Sequence, residues 1–437
     1  MKFTSWVENG KFFIRGEFIE SHRDTITGPR YQGPFDELEM VEDTVWYDYI
    51  PKSLGPDELA IMCFMIFFPW IGNKVEFPFP VSNRISEAIN LPTFTRFKGE
   101  IEVLNLNEER ISMPAIARQD VLPEDVVISF GGGVDSSALH ALFPEATLVH
   151  EINVPKPVSD VEHYAIIAAM IKHNKDRNTP VHWIQTNARF LSKPKGVTNW
   201  LCPLIPALLV ACDLGKKMVF TGSNIGTMFL KNGKEFSPGH TMRNPAREVM
   251  SQHTVPIVQA SAHISVATAY RLCNEEGIIP SVIFCESGPN HGPCSKCLKC
   301  LRRELVYRAL VYNEPEKYAL SDLPLKTDTF LEKYNLERAR IRFHHESNAP
   351  YIHNLVIARD LMGEHFPIEL YPLTAQAPPS SFMFARPKEG DLLFPQETHN
   401  HLLSRIHDRI RPMTETEPIV LTTWRASASI SHVIILL

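Results

Sequence analysis

The stretch SFGGGVDSSAL, residues 129–139, follows the apolar run VVI (126–128) and leads into a helix-forming segment. Strand, glycine turn and helix together let backbone N–H groups reach an anion without Cβ interference. The helix N-terminus adds partial positive charge. Gly131, Gly132 and Gly133 supply the turn, and Val134, Asp135, Ser136 and Ser137 open the helix. A Walker loop needs Gly-Lys-Ser/Thr where this chain has Asp-Ser-Ser. A dinucleotide fingerprint needs a third glycine where Ser136 stands. The stretch therefore reads as a phosphate loop of another kind, with Ser129 at the end of its strand.

The flanking sequence alternates between strand and helix patterns from about residue 113 to 312. ATLVHEIN (146–153), VHWIQT (181–186), KMVFTGSN (217–224) and SVIFC (281–285) read as further strands. Helical spacing falls between them, in DVEHYAIIAAMIKHN (160–174), LIPALLVACDLG (204–215) and SVATAYRLCNEEG (265–277), the last two ending at Gly. Repeated βα units predict a parallel sheet covered by helices on both faces, a doubly wound α/β fold. In such sheets ligands bind beyond the C-terminal strand edge. Asn224, at the end of one of these strands, is thus a candidate nucleotide contact and reads equally as a turn residue.

Four of the eight cysteines are scattered in apolar surroundings, as buried thiols are: Cys63, Cys202, Cys212 and Cys273. The other four, Cys285, Cys294, Cys297 and Cys300, lie in CESGPNHGPCSKCLKC (285–300), a C-x8-C-x2-C-x2-C pattern. Four thiolates at this spacing suit a tetrahedral structural zinc ion, with an iron–sulfur cluster as the rival occupant.

Taken together, the loop and the cysteine knuckle resemble the PP-loop ATP pyrophosphatases, and QueC-like enzymes in particular. The GGGVDSS segment is similar to the family's SGGxDS loop, with Gly131 where serine is usual. The resemblance covers roughly residues 126–310. It implies a PP-loop (HUP-like) fold whose loop holds the β,γ-pyrophosphate of ATP, with the adenine ring resting at Ile152 and Asn153, the end of the ATLVHEIN strand. A substrate oxygen attacks the α-phosphorus, with Asp135 on the magnesium side and Ser136 stabilising pyrophosphate. It also implies a 7-deazaguanine carboxylate as substrate, activated and then joined to an amine. QueC itself uses ammonia and goes on to the nitrile preQ0. It carries TKAE where this chain has SAHI (261–264), so the Lys and Glu are replaced by Ala262 and Ile264. Arg243 and His263 are the remaining candidates for charge there.

QueC-like proteins with added domains occur in anti-phage gene clusters such as Qat and type IV CBASS. The family reading therefore points to a protein amine, from a neighbouring gene, as acceptor. The alternatives are a preQ0 synthase, a tRNA thiolase and a nucleotide-binding module without turnover. The expected cofactors are ATP, Mg2+ and Zn2+, and a homodimer is compatible with the reading.

The whole chain bounds these readings. It has 437 residues, 44% hydrophobic and 22% charged, with a net charge of −6. Nothing global marks nucleic acid or an anionic membrane as partner. No signal-peptide pattern opens the chain, so the cytoplasm is the expected compartment. The apolar run LAIMCFMIFFPWI (59–71) is too short for a membrane span and reads as a buried strand or short helix. Three regions are expected: a β-rich one over 1–115, the catalytic one over 116–312 and a mixed α/β one over 313–437. The histidines of the last region fit no tight ligand pattern.

Overall fold

The computed structural model describes residues 1–29, 37–90, 99–106, 121–154, 179–193, 202–222, 230–231, 235–236, 255–278, 306, 309–310, 358–365, 385–386 and 399–412. Statements of absence below refer to these residues.

The alternating N-terminal sequence forms a hairpin. β1 (Lys2–Glu8) and β2 (Lys11–Glu17) pair antiparallel, Glu8 opposite Lys11. Asn9 and Gly10 between them have φ of 49° and 75°, the left-handed backbone that a two-residue hairpin matched to strand twist requires. β3 (Thr44–Tyr47) lies antiparallel beside β2. The apolar run is α1 (Pro56–Phe67), opened by Pro in its first turn and followed by one 3-10 turn, Phe68–Trp70. Every residue from Ala60 to Phe67 is buried, which is why this helix has no polar stripe. No helix among the described residues is long and apolar enough to cross a membrane. β4 (Lys74–Val81), α2 (Asn83–Ile89) and β5 (Glu102–Leu106) complete this half.

Within the described residues the second half follows the expected βα pattern; the helix read over 160–174 and the strand read over 281–285 lie outside them. Its elements are β6 (Val126–Ser129), α3 (Val134–Leu142), β7 (Thr147–Asn153), β8 (Val181–Thr186), α4 (Ile205–Asp213), β9 (Met218–Phe220), β10 (Ile257–Val258) and α5 (Val266–Glu275). Near the C-terminus stands α6 (Ser404–Arg409). Helix ends match their sequence signals. Gly215 after α4 and Gly277 after α5 adopt φ of 61° and 67°, and Ser265 Oγ caps α5 by accepting from Thr268 N at 3.1 Å.

All these strands belong to one ten-stranded sheet, in the order β10-β9-β6-β7-β8-β3-β2-β1-β4-β5. It is mostly parallel: β6 to β10 form an unbroken parallel block, and the antiparallel pairings are β8–β3, β3–β2 and β2–β1. The protein is therefore a mixed α/β molecule compatible with a doubly wound fold. Residues alternate between two cores, as a pleated strand requires. Val126 and Ile128 face α3, α5 and α6, whereas Val127 faces α1 and α4. Burial on both faces explains why these strands read as continuous apolar runs.

The sheet passes without interruption from the strands before residue 107 into the parallel block. The boundary read at 115/116 itself lies outside the described residues. Where β3 meets β8 the ladder is a single pair, Tyr47 opposite Thr186. Side chains extend it. Asn187 Oδ1 accepts from Trp46 N at 2.9 Å, and its Nδ2 donates to Thr44 O and Glu42 Oε2, both at 3.0 Å. Asp213, closing α4, accepts from Tyr49 Oη at 2.9 Å and from the backbone N–H of Lys52 and Ser53. At the far end of the chain, Leu402, Leu403, Ile406 and Ile410 enter the core beneath α3 and α5. Arg405 grips both oxygens of Glu145 at 2.8 Å.

Candidate functional site: the loop at the strand-order reversal

In chain order the parallel strands run outward as β6, β7, β8, then return to the other side of β6 as β9 and β10. The order reverses between β6 and β9, which is where open α/β sheets form a crevice for ligands. The glycine loop stands at that reversal, between β6 and α3.

The loop is fixed at its strand end. Phe130 N donates to Val149 O at 2.8 Å, and His150 Nδ1 lies 2.7 Å from Phe130 O. A carbonyl only accepts, so Nδ1 carries the proton. Gly131 is exposed, and a Cβ built on it meets nothing within 4 Å. Gly132 has φ of 68°, a conformation that only glycine adopts without strain. Gly133 is the N-cap of α3 in extended backbone. Ser137 N donates to Gly133 O at 3.0 Å, and Ser136 Oγ donates to the same carbonyl at 3.1 Å. Ser136 and Ser137 are buried, and Asp135 is half-buried in the first turn. An open glycine cradle at the N-terminus of a nine-residue helix fits a phosphate group.

Across the reversal, Thr221 and Gly222 follow the end of β9. Thr221 N donates to Val258 O at 3.0 Å. A Cβ on Gly222 would come within 3.2 Å of Ser136 N and 3.4 Å of Asp135 Cβ. A side chain there would be tighter than nearly all Cβ contacts, and the β9 end or α3 would have to give by a few tenths of an ångström. The sequence reading noticed TGSN for its asparagine; the residue whose need is visible is Gly222. Asn224 lies outside the described residues, as do Arg243 and the four cysteines Cys285, Cys294, Cys297 and Cys300. No three metal-ligating side chains come together among the described residues.

Asn153 is placed by its neighbour. Its Nδ2 donates to Glu151 Oε2 at 2.9 Å, so the side chain turns back along β7. Ile152 faces the opposite side of the sheet, against Trp46 and Val154. Burial holds the Glu151 carboxyl above the ordinary 4.5; the Asn153 hydrogen bond and Arg189, whose Nε stands 4.0 Å away, oppose that shift only partly. Nothing in local sequence singles out Glu151; alternation in β7 puts it on the α4 face, and burial makes it unusual.

The SAHI segment is a 3-10 turn, Ala260–His263. Ala262, His263 and Ile264 are fully buried, and His263 Nδ1 lies 3.2 Å from Ala260 O. His263 is therefore tied to the backbone inside the core and does not present its ring to the crevice. Of the scattered cysteines, Cys63, Cys202 and Cys273 are buried as expected. Cys212 is half-buried, its thiol pushed up to about 12, mainly by burial.

A family model described as a family of unknown function (DUF6395) matches residues 246–425, less than half of the chain. The match takes in β10, α5, the four-cysteine stretch and α6, and begins after the glycine loop and Gly222. No curated protein and no solved structure matches the chain.

Proposed function

We propose that the protein is an ATP-dependent carbon–nitrogen ligase of the PP-loop type, acting on a 7-deazaguanine carboxylate. The observation that carries this reading is the open glycine cradle at the strand-order reversal, with Asp135, Ser136 and Gly222 closing its rim. The loop N–H groups and the α3 N-terminus hold the β,γ-pyrophosphate of ATP. A carboxylate oxygen attacks the α-phosphorus and the bond to pyrophosphate breaks, leaving an acyl adenylate. An amine then attacks the acyl carbon, AMP departs with the former carboxylate oxygen, and an amide remains. No nucleophilic side chain is needed: positioning and charge stabilisation carry the catalysis. By the resemblance, Asp135 is the carboxylate that would face the magnesium ion.

A protein amine is the acceptor in this reading, and amide formation is the last step. Two apolar, fully buried residues, Ala262 and Ile264, occupy the positions where nitrile-forming relatives have Lys and Glu. That favours the amide over preQ0. The four-thiolate set Cys285, Cys294, Cys297 and Cys300 suits a closed structural zinc site, worth on the order of 10 kcal/mol to local folding.

The test is incubation with 7-carboxy-7-deazaguanine, ATP, magnesium and an amine, with and without proteins from neighbouring genes. AMP, pyrophosphate and an intact-mass adduct on a partner are expected, and Asp135→Ala is expected to abolish them. ADP and phosphate as products, or free preQ0 without any adduct, would overturn the reading. Elemental analysis of protein purified without added metal is expected to find about one zinc per chain.

A further inference from the structure

Four polar atoms without hydrogen-bond partners gather on the α4 face of the sheet, at the C-terminal ends of β7 and β8. They are Tyr47 Oη, Glu151 Oε1, Asn153 Oδ1 and Arg189 Nε, all shielded from solvent. Buried polar atoms are paired in the great majority of cases, and leaving one unpaired is costly, so a carboxylate oxygen and three neighbouring atoms all without partners ask for a reason. They do not satisfy one another. Arg189 Nε is 4.0 Å from Glu151 Oε2, outside hydrogen-bond reach. Tyr47 is fully buried, and its hydroxyl lies beside the Thr186 side chain without hydrogen-bond geometry. The Glu151 side chain is 9% exposed.

The placement is shared with the candidate site. Ser129, the last residue of β6, pairs with Val149, and Glu151 follows two residues later on the same face. Ser129 Oγ points to Pro203 O, on the segment leading into α4, at 3.5 Å. The cluster therefore sits on the same strand edge as the loop.

Two of the four orphans, Glu151 Oε1 and Asn153 Oδ1, only accept. Arg189 Nε only donates, and Tyr47 Oη has a proton to give. A complementary ligand edge carries two adjacent N–H donors beside an acceptor with two lone pairs. A 2-amino-4-oxopyrimidine ring has that edge: the ring N–H and the exocyclic amine next to the carbonyl. We propose that Tyr47, Glu151, Asn153 and Arg189 form the subsite that reads this edge of the substrate base, which rests on the deazaguanine reading above. In this assignment the Asn153 side chain serves the base to be activated and not the adenine of ATP.

Calorimetric titration of the full-length protein tests it, with three probes: 7-carboxy-7-deazaguanine, its analogue lacking the 2-amino group, and a non-hydrolysable ATP analogue. Glu151→Gln and Tyr47→Phe keep the shape of each side chain, and thermal melting controls for folding. The wild type is expected to prefer the 2-amino ligand by about 10- to 100-fold, the range for a hydrogen bond to a charged group. Both variants are expected to lose affinity for that ligand, and Glu151→Gln most of the preference, with binding of the ATP analogue unchanged. If folded variants keep the wild-type preference, or the wild type has none, the subsite is refuted while the ligase reading stands. If the ATP analogue weakens instead, the cluster belongs to adenine and the inference again fails alone. A wild type that binds neither deazaguanine overturns both.

Discussion

At the scale of single residues the glycines around the loop make separable demands. Gly222 is glycine because of what faces it. Its Cβ would stand 3.2 Å from Ser136 N, so Gly222→Ala is expected to shift the β9 end or the first turn of α3 by a few tenths of an ångström. The expected result is a raised KM for ATP or a lowered kcat of up to about tenfold, a fraction of what a misplacement of about 1 Å can cost. Circular dichroism and the melting temperature should change little. Gly131 is the opposite case. It lies in open space and has no positive φ, so the serine usual in PP-loops fits without strain. Gly131→Ser is expected to leave thermal stability unchanged and to tighten ATP binding through one added hydroxyl donor, read by calorimetry. A large loss of stability there would show that the glycine is structural after all. Gly132 tolerates neither change: a Cβ at φ of 68° costs about 1–2 kcal/mol in backbone strain alone.

Between elements, the informative contacts are those that join strands and helices far apart in sequence. The β3–β8 junction has one ladder pair, and Asn187 does the remaining work with both ends of its amide. Asn187→Ala leaves the Trp46 N–H buried without its acceptor and is expected to destabilise the protein by about 2–3 kcal/mol, measured by urea denaturation. The Arg405–Glu145 pair attaches the α6 segment to the end of α3. Hydrogen bonds from Arg405 hold the Glu145 carboxyl below its ordinary 4.5, with burial opposing. A carboxyl depressed in the folded state contributes stability above its unfolded value, and that contribution disappears as pH falls through the lower folded value. The urea midpoint should therefore fall below pH 4.5, and Arg405→Ala should remove that part of the acid dependence. Both side chains are more than a third exposed, so the effect at neutral pH is small.

For the molecule as a whole, one sheet carries both halves. A fragment beginning near residue 116 would leave β8 as an open edge and uncover the α4 face that α1 and the N-terminal strands pack against. Exposed edges and apolar faces lead to aggregation. The fragment is expected to be insoluble or to lack a cooperative melt, whereas the full chain melts cooperatively. A soluble, cooperatively folding fragment would argue that the halves are independent.

The sequence by itself determined what depends on local patterns. Apolar runs bounded by Gly or Pro located β6 to β9, Asn9-Gly10 fixed the first hairpin, and Gly215 and Gly277 ended their helices. The glycine loop was legible because three consecutive glycines between a strand and a helix have few other uses. Only the tertiary structure decided the rest, because it depends on pairings between distant segments. The N-terminal strands could not be assigned to the parallel sheet from their alternation, which is the same in any half-buried sheet. Alternation put Glu151 on one face of β7, but its surroundings depend on Arg189, carried in just after β8, and on Tyr47, brought there by the β3–β8 junction. Gly222 carried no signal of its own in the sequence; only with β9 laid beside β6 does its missing side chain become the space that the first turn of α3 approaches.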